Sequence, residues 1–255
     1  MRIAVCLSGQ PRTWRIAAPS IKEFFNKSIV DNKQAEVDYF IHTWSNNSWR
    51  EPGGGWTNSI EIEDDIRTTF SPKMMLFQNQ PSHDKNIGFS SLFRSMSLAN
   101  VLKSQYELEH NFEYDCVVKS RLDVAFAPNT GFVIHKVEPM VAYCSDNIFT
   151  IGYEFFQRNF SDIFFWSDSS TMDIAIDAWR WRQSQGDGRE TLEMANRIGP
   201  GASLYQNMVS HGVHPMHSLV RFDAVIVRKQ ALDRNLDIMN DWREIKKIHH
   251  EYYVT

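Results

Sequence analysis

Tyr114-Asp115-Cys116-Val117-Val118-Lys119-Ser120-Arg121-Leu122-Asp123-Val124-Ala125-Phe126 is the stretch that decides the fold. Its first half, Cys116-Val117-Val118, is a short apolar run rich in β-formers, the pattern of a strand buried on both faces. That strand delivers three charged residues, Lys119, Arg121 and Asp123, to its far end. Ligands of open α/β sheets sit outside the carboxyl ends of the strands, which gives the Arg-x-Asp two readings. In one it holds a metal ion and phosphate together, the carboxylate supplying hard oxygen and the guanidinium countering anionic charge. In the other it is a solvated ion pair.

Upstream, the same architecture repeats. Ile3 to Leu7 is a buried first strand, Ser8-Gly9-Gln10-Pro11-Arg12-Thr13-Trp14 a turn, and Ala17 to Phe25 a helix. Nucleotide-binding α/β units begin this way: the glycine lets backbone N–H groups approach a ligand, and Arg12 is placed to meet a diphosphate. No Gly-x-Gly-x-x-Gly and no Walker lysine loop is present, which removes most of the weight from dinucleotide and P-loop readings. Val37 to Trp44 is a second strand ending in His42 and Trp44, where a histidine is more often a hydrogen-bonded structural residue than a ligand. Trp49 to Trp56, with three successive glycines, reads as a loop, either a cover for a bound sugar or base or a plain surface connection. An acidic stretch, Glu61 to Asp65, follows. Met74 to Phe77 is a third strand, and Phe89, Leu92, Phe93, Met96, Ala99, Leu102 and Tyr106 form the core stripe of a long amphipathic helix. Strand alternating with helix predicts an α/β fold with a mostly parallel sheet covered by helices.

The second half is less regular. Met140 to Cys144 and Phe160 to Trp166 read as strands, with a helix from the cap-rich Ser167 to Asp173 onward through Ile174 to Arg182. Asp162 and Asp168 flank the aromatic run, and each is a candidate to take a proton from a substrate hydroxyl; Asp168 has helix capping as a rival role. After the break at Gly199-Pro200-Gly201 come a helix over Ala202 to His211, strand material at Val213 to Met216 and Leu219 to Arg228, and one closing helix over Leu232 to Tyr253. His211, His214 and His217 do not have the spacing of a zinc site, though one of them could reach a metal held by Asp123.

With 255 residues, 42% hydrophobic, the chain can bury a large core and reads as a single domain over residues 1–255. A net charge of −4 gives no basic field for nucleic acid or for an anionic membrane. The three cysteines lie in or beside apolar runs without Cys-x-x-Cys spacing, which favours a reducing compartment. No stretch approaches the roughly 20 apolar residues of a membrane span, and the opening apolar run is too short for a signal peptide. The expectation is a cytoplasmic protein.

Taken together and in order, Ser8 to Arg12, Asp38 to Trp44, Tyr114 to Asp123 and the segment leading to Met172-Asp173 resemble small GT-A type glycosyltransferases, found among viral and bacterial enzymes that build surface glycans. The resemblance covers roughly residues 2–175 and is most specific in the first three segments. It implies a GT-A-like (nucleotide-diphospho-sugar transferase) fold, an open mixed sheet, mostly parallel and flanked by helices. It also implies a nucleotide-sugar donor, a glycan or other hydroxyl acceptor, and Mn²⁺ or Mg²⁺. Ser8, Gly9, Gln10, Arg12 and Arg121 would lie at the nucleotide sugar, and Asp123 at the metal. Asp162, then Asp168, would serve as base for an inverting transfer. The chain departs from the pattern in two places: Arg121 stands where the family has the first acid of Asp-x-Asp, and no acid occurs within Gly199-Pro200-Gly201-Ala202. Two alternatives remain beside the transferase, another nucleotide-sugar or nucleotidyl enzyme on this architecture and a non-catalytic glycan- or nucleotide-binding module.

Overall fold

A computed structural model describes residues 1–30, 33–45, 59–80, 88–134, 136–145, 160–177, 201–218, 222–227 and 229–254. Its strands are β1 (Arg2–Gly9), β2 (Ile29–Val30), β3 (Lys33–Gln34), β4 (Glu36–Trp44), β5 (Met74–Gln78), β6 (Cys116–Arg121), β7 (Val124–Phe126), β8 (Val133–Ile134), β9 (Val141–Ser145), β10 (Phe165–Ser167), β11 (His214–Ser218) and β12 (Ala224–Ile226). Its helices are α1 (Trp14–Asn26), α2 (Ser59–Phe70), α3 (Gly88–His110), α4 (Ser169–Ile176), α5 (201–210), α6 (Lys229–Asp233) and α7 (Trp242–Val254).

Seven strands form the central sheet in the order β11-β9-β10-β6-β1-β4-β5. All run parallel except β10, which is antiparallel to both its neighbours. This is the expected mixed, mostly parallel sheet flanked by helices. From β1 the chain steps to β4 and β5 on one side and then to β6 on the other, so strand order reverses between β1 and β6.

Successive residues of a strand point to opposite faces, and both faces here are apolar. Ile3, Val5, Leu7, Cys116 and Val118 pack under α1, α2 and α7. Ala4, Cys6, Phe40, Val117, Cys144 and Phe165 pack under α3, α4 and α5. The first face carries an aromatic cluster in which Phe24 stacks on Phe126 at 3.9 Å and meets Phe164 edge-on at 6.1 Å, tying α1 to β7 and to the turn before β10.

Several boundaries differ from the sequence reading. The acidic stretch at 61–65 is part of α2, whose Ile62, Ile66 and Phe70, four apart, supply the buried stripe. Only Phe165–Ser167 of the aromatic run is strand, because the Ser161 hydroxyl accepts from the backbone N–H groups of Ile163 and Phe164 and turns the chain. The closing helix is two helices. Asp237 and Asp241 carboxylates accept backbone N–H groups at 237 and 239 and break it there. Short pairings β2/β3/β8 and β7/β12, outside the main sheet, were not anticipated. The loop Trp49 to Trp56, the segment Ala178 to Arg182 and Gly199-Pro200 lie outside the described residues. Among the described residues no helix is long and apolar enough to cross a membrane.

Candidate functional site

The carboxyl ends of β1 and β6 lie side by side. Ser8 is the lateral partner of Arg121, and the Leu122 N–H reaches the Ser8 carbonyl at 3.4 Å. At the end of β6, Arg121 grips Asp123 with two bonds, Nε to Oδ1 at 2.7 Å and Nη2 to Oδ2 at 2.6 Å. The pair is fork on carboxylate, the strong geometry, and it is mostly withdrawn from water. Arg12 and Asp123 stand on the same rim: the Val227 N–H donates to the Asp123 carbonyl, while the Val227 carbonyl accepts from the hydroxyl of Thr13, next to Arg12.

The turn after β1 is held from both sides. Gly9 has φ +113°, a conformation that favours glycine. Its N–H donates to the Ser95 hydroxyl of α3, and its carbonyl accepts from Thr43 of β4. The Gly9 N–H is therefore committed to the scaffold rather than offered to a ligand. Ser95 in turn meets the His42 Nδ1 at 2.7 Å, and Gln78 meets the His42 Nε2 at 3.0 Å. With the Gln78 amide donating to Nε2, the proton sits on Nδ1 and is given to Ser95. Burial, aided by the charge of Arg94, lowers the His42 pKa to about 4 and keeps the ring neutral. His42 is thus a structural residue. Further along the rim, Gln10 accepts from the Arg12 Nε at 2.9 Å and donates to Gln80 at 2.7 Å, a chain from β1 toward the end of β5. The Ser8 hydroxyl is buried, with no partner among the described residues.

β10 is antiparallel, so its two flanks lie at opposite edges of the sheet. The turn before it, with Asp162, comes to the β6 carboxyl end, where the Asp162 carbonyl accepts from Lys119. Asp168 follows β10 at the other edge, since Ser167 is paired with Val117 near the start of β6. There it caps α4, accepting from the Thr171 N–H at 3.0 Å and from the Ser170 and Thr171 hydroxyls. The rival role is the one the geometry gives it, and Asp168 is corrected from catalytic candidate to helix cap. The segments that carry Ser8, Gly9, Gln10, Arg12, Arg121, Asp123 and Asp162 lie at the same end of the sheet.

Of the histidines, His211 bonds within α5, while His217 lies at the rim with Nδ1 3.5 Å from the Cys144 thiol. Among the described residues no group of three His, Cys, Asp or Glu side chains converges as a metal cage. One carboxylate suits a hard cation that draws its other oxygens from phosphate and water, so the donor set fits a metal arriving with a diphosphate.

Sequence reasoning missed Ser95, Gln78, Gln80 and the Val227 peptide. Ser95 had a signal: with Ser91, four residues earlier, it is a small polar residue on the buried stripe of α3. A separate groove of about 620 Å³ between α1 and α2, lined by Trp14, Arg15, Lys22, Asp65, Thr68 and Thr69 among others, is crossed by the Arg15–Asp65 ion pair and contains none of the rim residues. No protein-family model matches the chain, and no curated protein matches it either.

Proposed function

We propose that the chain is a glycosyltransferase that moves a sugar from a nucleoside-diphosphate donor to a hydroxyl of a glycan or similar acceptor. The observation that carries this reading is the reversal of strand order between β1 and β6, with the Ser8–Arg12 turn and the Arg121–Asp123 pair on either side of it. Crevices at such reversals, outside the carboxyl ends of parallel strands, are where open α/β sheets bind ligands. The resemblance to GT-A glycosyltransferases supplies the substrate class.

In this mechanism Arg12 and Arg121 face the charge that develops on the departing nucleoside diphosphate. Asp123 holds Arg121 in a fixed orientation and offers carboxylate oxygen to Mn²⁺ or Mg²⁺. Such a cation, when bound, adds positive charge at the diphosphate oxygens. Asp162, on the neighbouring turn, takes the proton of the acceptor hydroxyl if the transfer inverts the anomeric centre. One feature of the pair favours a second reading, a nucleotide-binding module without turnover: Asp123 already has both oxygens engaged.

A thermal-shift screen of nucleotides and nucleotide sugars, with and without Mn²⁺, tests the proposal. One nucleoside diphosphate is expected to raise the Tm, more so with Mn²⁺, and the shift is expected to shrink in Asp123→Ala. Equal shifts in both proteins would remove Asp123 from the donor site. Stabilisation without hydrolysis or transfer of the donor would favour the binding module.

A further inference from the structure

Lys119 takes no part in the scheme above. It sits within β6, wholly buried, on the face covered by α3, with Cys6 and Phe165 as lateral neighbours. An ammonium carries three N–H donors, and among the described residues one is used, on the carbonyl of Asp162. No carboxylate lies within ion-pair distance of it among the described residues. The charges of Asp162, Arg121 and Asp123 act on it from farther away.

That carbonyl belongs to a turn anchored on both faces of the sheet. Phe160 packs edge-on to Phe165 at 5.3 Å on the α3 side, and Phe164 enters the aromatic cluster with Phe24 and Phe126 on the other. Between the anchors the Ser161 hydroxyl closes the backbone, leaving Asp162 at the tip, half-buried. Burying a charge with one neutral partner costs stability that an apolar side chain of similar length would not. Burial accordingly pulls the Lys119 pKa down to about 7, with Asp162 opposing that shift. A buried residue at the end of a sheet, shifted by desolvation and by named charges, is a candidate for function.

We propose that Lys119 is a positioning residue, its ammonium holding the Asp162 peptide, and through it the Asp162 carboxylate, at a fixed reach from the Arg121–Asp123 pair. The tether stands on geometry alone; its catalytic consequence rests on the transferase reading, with Asp162 as base.

Lys119→Met keeps the length of the side chain and removes the donor. In hydrogen exchange of the ligand-free protein, the amides of Ile163 and Phe164 are expected to exchange faster while those of β4 and α3 do not. Unaltered protection at Ile163 and Phe164 would overturn the tether. With a donor that the wild type turns over, kcat is expected to fall about 10- to 100-fold while the donor KM stays within about twofold. Lys119→Met combined with Asp162→Asn is expected to be no slower than Asp162→Asn alone. Additive losses, or a raised KM with kcat intact, would sink the positioning role. If Lys119→Met does not fold, Lys119→Leu, which also removes the donor, serves with the same readouts. A wild type that turns over no donor fails the proposed function, and the exchange experiment still decides the tether.

Discussion

Lys103 and Lys119 are both wholly buried, and their surroundings treat the charge in opposite ways. Lys103, on α3, donates to the Ser169 hydroxyl at 2.6 Å and to Asp173 at 2.8 Å, and lies 3.0 Å from Glu107. Glu107 also accepts from the Tyr114 N–H and the Ser169 hydroxyl. Burial alone would depress the Lys103 pKa, but Asp173 and Glu107 outweigh it and hold the pKa above the ordinary lysine value. This is a closed network that fastens α3 to α4. Lys119, one bond to a carbonyl and no paired carboxylate among the described residues, is open by comparison. The difference separates a charge compensated by carboxylates from one held by a single carbonyl.

The sharpest way to break the comparison is to remove each charge in turn. Lys103→Met leaves the mostly buried Glu107 carboxylate uncompensated and is expected to cost about 3–5 kcal/mol in chemical denaturation. Lys119→Met is expected to raise stability at neutral pH. Equal losses would mean that both lysines are structural.

Next in size is the pH dependence, whose sign differs between the two. Lys119 has a folded pKa of about 7, below its unfolded value, so between about 7 and 10.5 the unfolded chain holds a proton that the folded chain lacks. Its cost is complete below about pH 7 and fades as the pH rises. The stability gained in Lys119→Met is therefore expected to be largest at pH 7 or below, on the order of a few kcal/mol, and to vanish toward pH 10.5. Lys103, with its pKa raised, contributes stability that is present below the unfolded value near 10.5 and lost above it. Denaturation midpoints of Lys119→Met against wild type across about pH 6–10 check the first slope and those of Lys103→Met above about pH 10.5 the second, and slopes of the same sign would refute the contrast.

The smallest effect compares the two carboxylates that flank β10. Asp168→Ala is expected to lower stability by about 1 kcal/mol, as the loss of an N-cap does, and to leave the nucleotide-induced Tm shift intact. A lost shift would return Asp168 to the candidate site.

Strands β1, β4 and β6 were legible because each holds a short apolar run buried on both faces, and such runs carry their own boundaries. The Ser8–Arg12 and Arg121–Asp123 segments were legible because polar residues directly follow those runs. Asp162 and Asp168 show the limit: close together in the chain, they look alike in the sequence, and only the antiparallel sense of β10 sends them to opposite edges. Lys103 was hidden on an apolar stripe, between Ala99 and Tyr106, where its partner Asp173 is distant in the chain. The α2 stripe was masked by its acidic residues, and the Val227 bridge is made by peptide groups, which carry no signature in side-chain pattern.

That bridge bears on the order in which the molecule is put together. A ribosome delivers β1, α1, β4, β5 and β6 long before residue 227 emerges, so the growing chain can hold most of a sheet while Thr13 and Asp123 still lack the peptide that links them. The rim is completed only when the late segment folds back over the early one. Nascent chains halted before and after this residue, probed with a nucleotide, would register that closure as the onset of binding.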